Sequence, residues 1–202
     1  MQNHPLFKNV DLKQYQKQLN IIKYREKQLI FSEGEVCDSL GVILSGELTI
    51  STITNLDKEY VINILGKNDI FGENLLFNKN NQYLGDGIIT SNSEILYIQK
   101  DLLIEMFSNK TFLLNYLSLT SEKSSNVRQR LKLLSQKSIE DRIMFFLESE
   151  AKRIGKNEIP ITSKEDLAIT LNIPRPSLSR ELKNMKNKGL IDYTRYYIKI
   201  MI

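Results

Sequence analysis

Six polar or basic side chains, Arg175, Ser177, Ser179, Arg180, Lys183 and Lys186, fall on one side of a helical repeat. The other side is Leu178, Leu182 and Met185. A guanidinium is a planar fork that donates two parallel hydrogen bonds, matching O6 and N7 of guanine in the major groove of double-stranded DNA. Hydroxyl and ammonium groups suit backbone phosphates, which fix register without reading sequence. The pattern predicts Arg180 as a base reader, and Arg175 as a base reader or a phosphate clamp. Ser177 and Lys183 are expected on phosphates. Ser179, Thr162 and Ser163 complete the DNA-facing set.

Those side chains need a helix held at groove height by a second one. Thr162 or Ser163 can cap that earlier helix, with Glu165 and Asp166 three residues on. Leu167 and Leu171 form its buried face, and the small Ala168 allows close approach. Asn172 tolerates a left-handed turn, and Ile173 plugs the corner. Pro174 and Pro176 suit a helix start, and Gly189 a helix stop. Leu190–Thr194 and Tyr196–Met201 read as a hairpin. The whole is the sequence form of a winged helix-turn-helix.

Charge agrees. From Pro174 onward seven basic residues face only Glu181 and Asp192, so the net charge of +4 is concentrated here. Cys37 is the sole cysteine, which excludes an intrachain disulfide and fits a reducing compartment. No apolar run approaches about 18 residues, and no signal-peptide pattern opens the chain. A soluble cytoplasmic protein, without membrane partners, is expected. Abundant Lys, Asn and Ile suggest a bacterial source. A jelly-roll metalloenzyme would need a His/Glu cluster, but His4 is the single histidine, read as solvated near the terminus. Neither a catalytic nor a metal site is expected.

Residues 1–20 read as a helical lead-in. Between Ile21 and Ile98 short runs alternate with turns: Lys27–Phe31, Leu40–Leu44, Glu47–Ile53, Tyr60–Leu65, Gly87–Thr90 and Ile95–Ile98. Turns are expected at Ser45-Gly46-Glu47, at Asn55–Asp57 and at Gly66–Asp69. Such spacing predicts an antiparallel sandwich or jelly-roll barrel. Leu113, Leu117, Thr120, Ser124, Val127, Leu131 and Leu134 then repeat with a 3.5-residue period. That is a coiled-coil seam, which predicts a homodimer; packing on the chain's own barrel is the alternative. The hydroxyls of Thr120 and Ser124 either contact a ligand or are small polar residues tolerated in the seam. Ser138 and Asp141 form a capping box after a hinge near Ser135–Ser138, and the next helix runs to Gly155.

The order barrel, long helix, winged helix-turn-helix resembles the cyclic-AMP receptor protein/FNR (Crp/Fnr) family of bacterial transcription regulators. The motifs are Phe31-Ser32-Glu33-Gly34-Glu35, Val42–Glu47, Asp69-Ile70-Phe71-Gly72-Glu73, Ser138–Ile143 and Arg175–Arg180. The resemblance implies an α+β chain with three parts. These are a cyclic-nucleotide-binding-like β-barrel at 1–108, a dimerisation helix and hinge at 109–137, and the DNA-binding domain at 138–202. It also implies a two-fold operator, RNA polymerase as a partner, and an effector site near Gly72, Glu73 and Tyr83 in the barrel. Family members hold the cyclic phosphate with an arginine, whose counterpart here is Tyr83. No arginine lies between Arg25 and Arg128, which argues against cyclic AMP. One cysteine excludes an iron–sulfur cluster. Haem, as in a gas sensor, and constitutive DNA binding are the alternatives to a small organic effector. Pro176 stands where many members carry Glu, so the half-site should differ from theirs.

Overall fold

The computed structural model describes residues 3–53 and 59–201; the turn expected at Asn55–Asp57 lies outside them. The chain divides into two compact units, residues 1–122 and 123–202.

In the first unit six strands form one antiparallel sheet: β1 (Asn20–Tyr24), β2 (Leu29–Phe31), β3 (Ser39–Ile53), β4 (Glu59–Gly66), β5 (Ile70–Phe71) and β6 (Asp86–Gln99). The ladder order is β1-β6-β3-β4, with β2 also on β6 and β5 also on β3. The path has two ends, so among the described residues the barrel is not closed by hydrogen bonds. Side-chain alternation gives the sheet two apolar faces. Leu40, Val42, Leu96 and Ile98 join one cluster, while Ile43, Leu48, Ile89 and Ile95 join the other.

Two pairs of expected strands are each a single strand. Ser45-Gly46-Glu47 is not a turn but a bulge inside β3, with register shifts against β6 on either side. Gly46 has φ +85°, and a Cβ there would lie 2.1 Å from Ser93 Oγ. Only glycine meets both demands. The runs Gly87–Thr90 and Ile95–Ile98 likewise belong to the one strand β6.

The lead-in is two 3-10 turns, Pro5–Phe7 and Lys13–Tyr15, which bury Leu6, Phe7, Leu12 and Tyr15. After β6 come α1 (Lys100–Met106) and α2 (Lys110–Leu134); the division between units falls inside α2. The α2 amide of Phe112 donates to Asn109 Oδ1 at 3.1 Å, which starts the helix. Phe112, Tyr116 and Leu119 pack into the barrel cluster. Asn115 Nδ2 ties α2 to the lead-in carbonyls of Leu6 (3.1 Å) and Lys8 (2.9 Å).

His4 is buried, at 3% exposure, rather than solvated. Its Nδ1 accepts from Leu6 N at 3.1 Å, and Nε2 is buried with no hydrogen-bond partner among the described residues. Burial pushes its pKa below the ordinary imidazole value, outweighing the pull of the neighbouring Asn68–Asp69 backbone. The unfolded chain therefore takes up a proton that the native state resists. Stability should hold above about pH 6.5 and fall as pH drops below it. Thermal melts between pH 7.5 and 5.5 should show a shallower decline for His4→Gln than for wild type. Parallel declines would show that another group carries the effect.

In the second unit α3 (Ile139–Ile154), α4 (Lys164–Leu171) and α5 (Arg175–Asn187) surround a core that includes Ile143, Leu147, Leu171, Leu178 and Leu182. Ser138 caps α3 through Asp141 N at 3.0 Å, and Gly155 ends it in the left-handed region. A strand not anticipated, β7 (Glu158–Pro160), pairs with β9 (Tyr197–Ile200), which also pairs with β8 (Ile191–Tyr193). The wing is thus three-stranded. Arg142 Nη1 donates to the carbonyls of Leu171 and Asn172 at 3.3 Å, and Nη2 to that of Leu134 at 3.3 Å. One cation thereby joins the helix ends of α2 and α4, where partial negative charge gathers.

Candidate nucleic-acid interface and effector site

Ser163 caps α4. Its Oγ accepts from Asp166 N at 3.0 Å and donates to Asp166 Oδ2 at 2.7 Å. At the other end Asn172 takes φ 51°, and its amide bonds back to Ile169 O at 3.0 Å. That left-handed corner turns the chain into Pro174, after which α5 begins at Arg175 with Pro176 in its first turn. Leu178, Leu182 and Met185 are fully buried, which fixes the rotation of α5. Arg175, Arg180 and Lys183 are therefore exposed, and Ser177 and Ser179 half-buried.

The cations on α5 and at its C-cap differ in what holds them. Lys186 Nζ lies 2.5 Å from Asp192 Oδ1, and Lys188 Nζ lies 2.5 Å from Glu140 Oε2. Arg175 Nε pairs with Glu165. Arg180 and Lys183 make no ion pair among the described residues. Among the described residues, the helix thus presents two outward cations that no carboxylate neutralises.

Thr162, Ser163 and Arg175 line a concavity of about 590 Å³, together with Lys164, Tyr193, Thr194 and Arg195. Sequence reasoning missed the wing residues and Lys164. Lys164 Nζ sits 4.6 Å above the centre of the Tyr193 ring. Thr194 Oγ1 accepts from the amides of Tyr196 (3.1 Å) and Tyr197 (3.3 Å), which orders the wing turn. Arg195 and Tyr196 are left exposed at its tip. A basic residue in the turn of the expected hairpin was the available signal.

In the barrel, Gly72, Glu73 and Tyr83 converge on Cys37. Gly72 has φ +84°, and a Cβ there would meet Ser39 O at 2.8 Å and Cys37 Sγ at 2.9 Å. Asn74 Nδ2 donates to Glu73 Oε1 at 3.3 Å. Tyr83 lies flat on Phe31, with ring centres 3.8 Å apart and planes at 10°. With Phe71 and Tyr97 these rings pack in the barrel core. Burial, and then the Cys37 thiol beside it, push the Tyr83 phenol far above its ordinary pKa. Burial also raises the Cys37 thiol, so thiolate ligation is opposed there. Among the described residues no three His, Cys, Asp or Glu side chains stand close enough to share a metal ion.

The cyclic nucleotide that this barrel type implies does not fit these residues. The resemblance puts Tyr83 where the guanidinium for its phosphate is needed, and a stacked phenol offers no such charge. Thr120 Oγ1 donates within α2 to the carbonyls of Tyr116 (3.0 Å) and Leu117 (3.1 Å), and Ser124 is exposed. Burial pushes Tyr116 up to about 12, with the Glu73 charge adding to it. Of the seam, Leu117, Val127 and Leu131 are exposed at 48%, 61% and 62%, while Leu113 and Leu134 are half-buried. No described helix is long and apolar enough to cross a membrane.

Comparison with known proteins gives the family. Residues 21–110 match the model of the cyclic nucleotide-binding domain, and residues 141–202 that of the Crp-like helix-turn-helix domain. The anaerobic regulatory protein of Bacillus subtilis is 23% identical over 176 residues, covering 84% of this chain and 74% of that protein. Electron transport regulator A of Shewanella oneidensis is 26% identical over 196 residues, covering 91% and 78%. The structure of CprK complexed with OCPA aligns with a TM-score of 0.67 at 16% identity, covering 95% of this chain and 91% of that one. With both domain types in this order along one chain, the protein belongs to the Crp/Fnr family of transcription regulators.

Proposed function

We propose that the chain is a homodimeric regulator reading a two-fold-related operator on double-stranded DNA. Arg180 recognises bases, Arg175 a base or a phosphate, and Ser177, Ser179 and Lys183 hold the backbone, with Thr162 and Ser163 at the N-terminus of α4. The observation that carries this reading is the outward cationic face of α5, set by three fully buried apolar residues behind it. Arg195 at the wing tip and Lys164 beside Tyr193 extend the backbone contact. The exposed seam residues of α2 supply the subunit contact, and RNA polymerase is the proposed protein partner on DNA.

The effector is not a cyclic nucleotide, because Tyr83 and Phe31 fill the place of its phosphate partner. CprK is complexed with OCPA, which supports a bound effector for this chain too; a small organic ligand is the proposal, with Gly72, Glu73, Tyr83 and Thr120 as the candidate contacts. The filled aromatic core also favours a second reading, DNA binding that needs no effector. Haem is less favoured, since His4 and Cys37 are both buried in the apolar core. The proposed setting is the bacterial cytoplasm.

Fluorescence anisotropy with random-sequence duplex over a salt series tests the backbone role. Lys183→Ala should weaken binding to every sequence alike and flatten the slope of log K against log salt by about one unit. A slope equal to that of wild type would remove Lys183 from the interface.

A further inference from the structure

We infer that Glu165 is a positioning residue for base recognition, holding the Arg175 guanidinium by its Nε so that the Nη1/Nη2 edge faces outward to a guanine. This rests on the DNA-binding reading above. The first turn of α4 carries two acids, and one suffices for the cap: Ser163 and Asp166 complete it between them. Glu165 is left to pair across the corner with Arg175 Nε. That ion pair engages the Nε side of the guanidinium, and the two terminal nitrogens are the pair that matches guanine O6 and N7 end-on. Arg175 and Glu165 remain 61% and 55% exposed, so the pair reaches out of the surface rather than into the core.

The backbone on either side of Arg175 is stiffened as well. Pro174 and Pro176 flank it, each with a restricted φ. With stiff prolines on both sides and the guanidinium paired to a carboxylate, less side-chain freedom is lost on binding. A carboxylate among Lys164, Arg175 and Arg195 weakens attraction to phosphates. Its return is orientation, which a uniform basic patch would lack.

The test uses the full-length chain and the inverted repeat it enriches from random duplex DNA. Binding is measured to that duplex and to a panel of single base-pair substitutions. Glu165→Gln should lower discrimination roughly tenfold at one symmetric pair of positions. Affinity for random DNA should hold or rise. The double variant with Arg175→Ala should show the same base preference as Arg175→Ala alone. Arg175→Lys, a point charge without a fork, should be insensitive to Glu165. Equal tightening on operator and random duplex, with every preference intact, would overturn the inference and leave Glu165 as a charge that merely opposes phosphates. A wild-type chain that enriches no sequence would remove the DNA-binding reading, and this inference with it.

Discussion

Leu131→Glu is expected to sediment as a monomer at concentrations where wild type is a dimer. Leu131 is 62% exposed and Val127 61% in the single chain, so neither holds a fold together. Exposed apolar residues at a 3.5-residue period are knobs awaiting holes. A carboxylate at such a position must be desolvated without a partner when two helices close, a cost that leucine does not carry. The consequence for DNA is larger than the local change. Two linked recognition helices bind with an avidity of about 10²–10⁴ over one, and that factor should disappear from operator affinity. Lys132→Glu, one residue along and off the seam, should remain dimeric. A Leu131→Glu protein that stays dimeric would move the interface away from α2.

Arg180→Ala is expected to weaken specific binding by about 1–3 kcal/mol for each bidentate hydrogen-bond pair removed, one in each half-site. The residue is exposed, and among the described residues no carboxylate competes for it. The helix that carries it is anchored by Leu178 and Leu182, both fully buried. Truncation should therefore leave the fold intact and relax preference at one base-pair position per half-site. A variant that separates operator from random duplex as well as wild type does would show that Arg180 reads no base.

The helix-turn-helix is legible in the sequence because its signals are local. Leu178, Leu182 and Met185 lie within one helical repeat, Ser163 and Asp166 within one turn, and Asn172 at the corner they define. Tyr83 is legible as a departure, since an expected arginine is missing; its stacking on Phe31, 52 positions away in the chain, is not. Gly46 reads as a turn from sequence because a left-handed glycine serves a hairpin and a bulge equally. What distinguishes them is the partner strand, and Ser93 comes from far along the chain. His4 misleads for the same reason, because the residues that bury it, such as those at Asn68–Asp69, are remote in sequence. β7 is three residues long and ends in proline, too short for any period to show. Glu165 reads as part of a cap that its neighbour fills, and only the geometry across the corner gives it to Arg175.

The most direct measurement is selection of bound sequences from a random duplex library by the purified full-length chain, with no ligand added and again with cyclic AMP. The expected result is an inverted repeat whose half-sites lie one helical turn apart, about 34 Å, with enrichment unchanged by the nucleotide. Failure to enrich any sequence, or enrichment that appears only with cyclic AMP, would contradict the reading of α5 or of the Tyr83-filled barrel respectively.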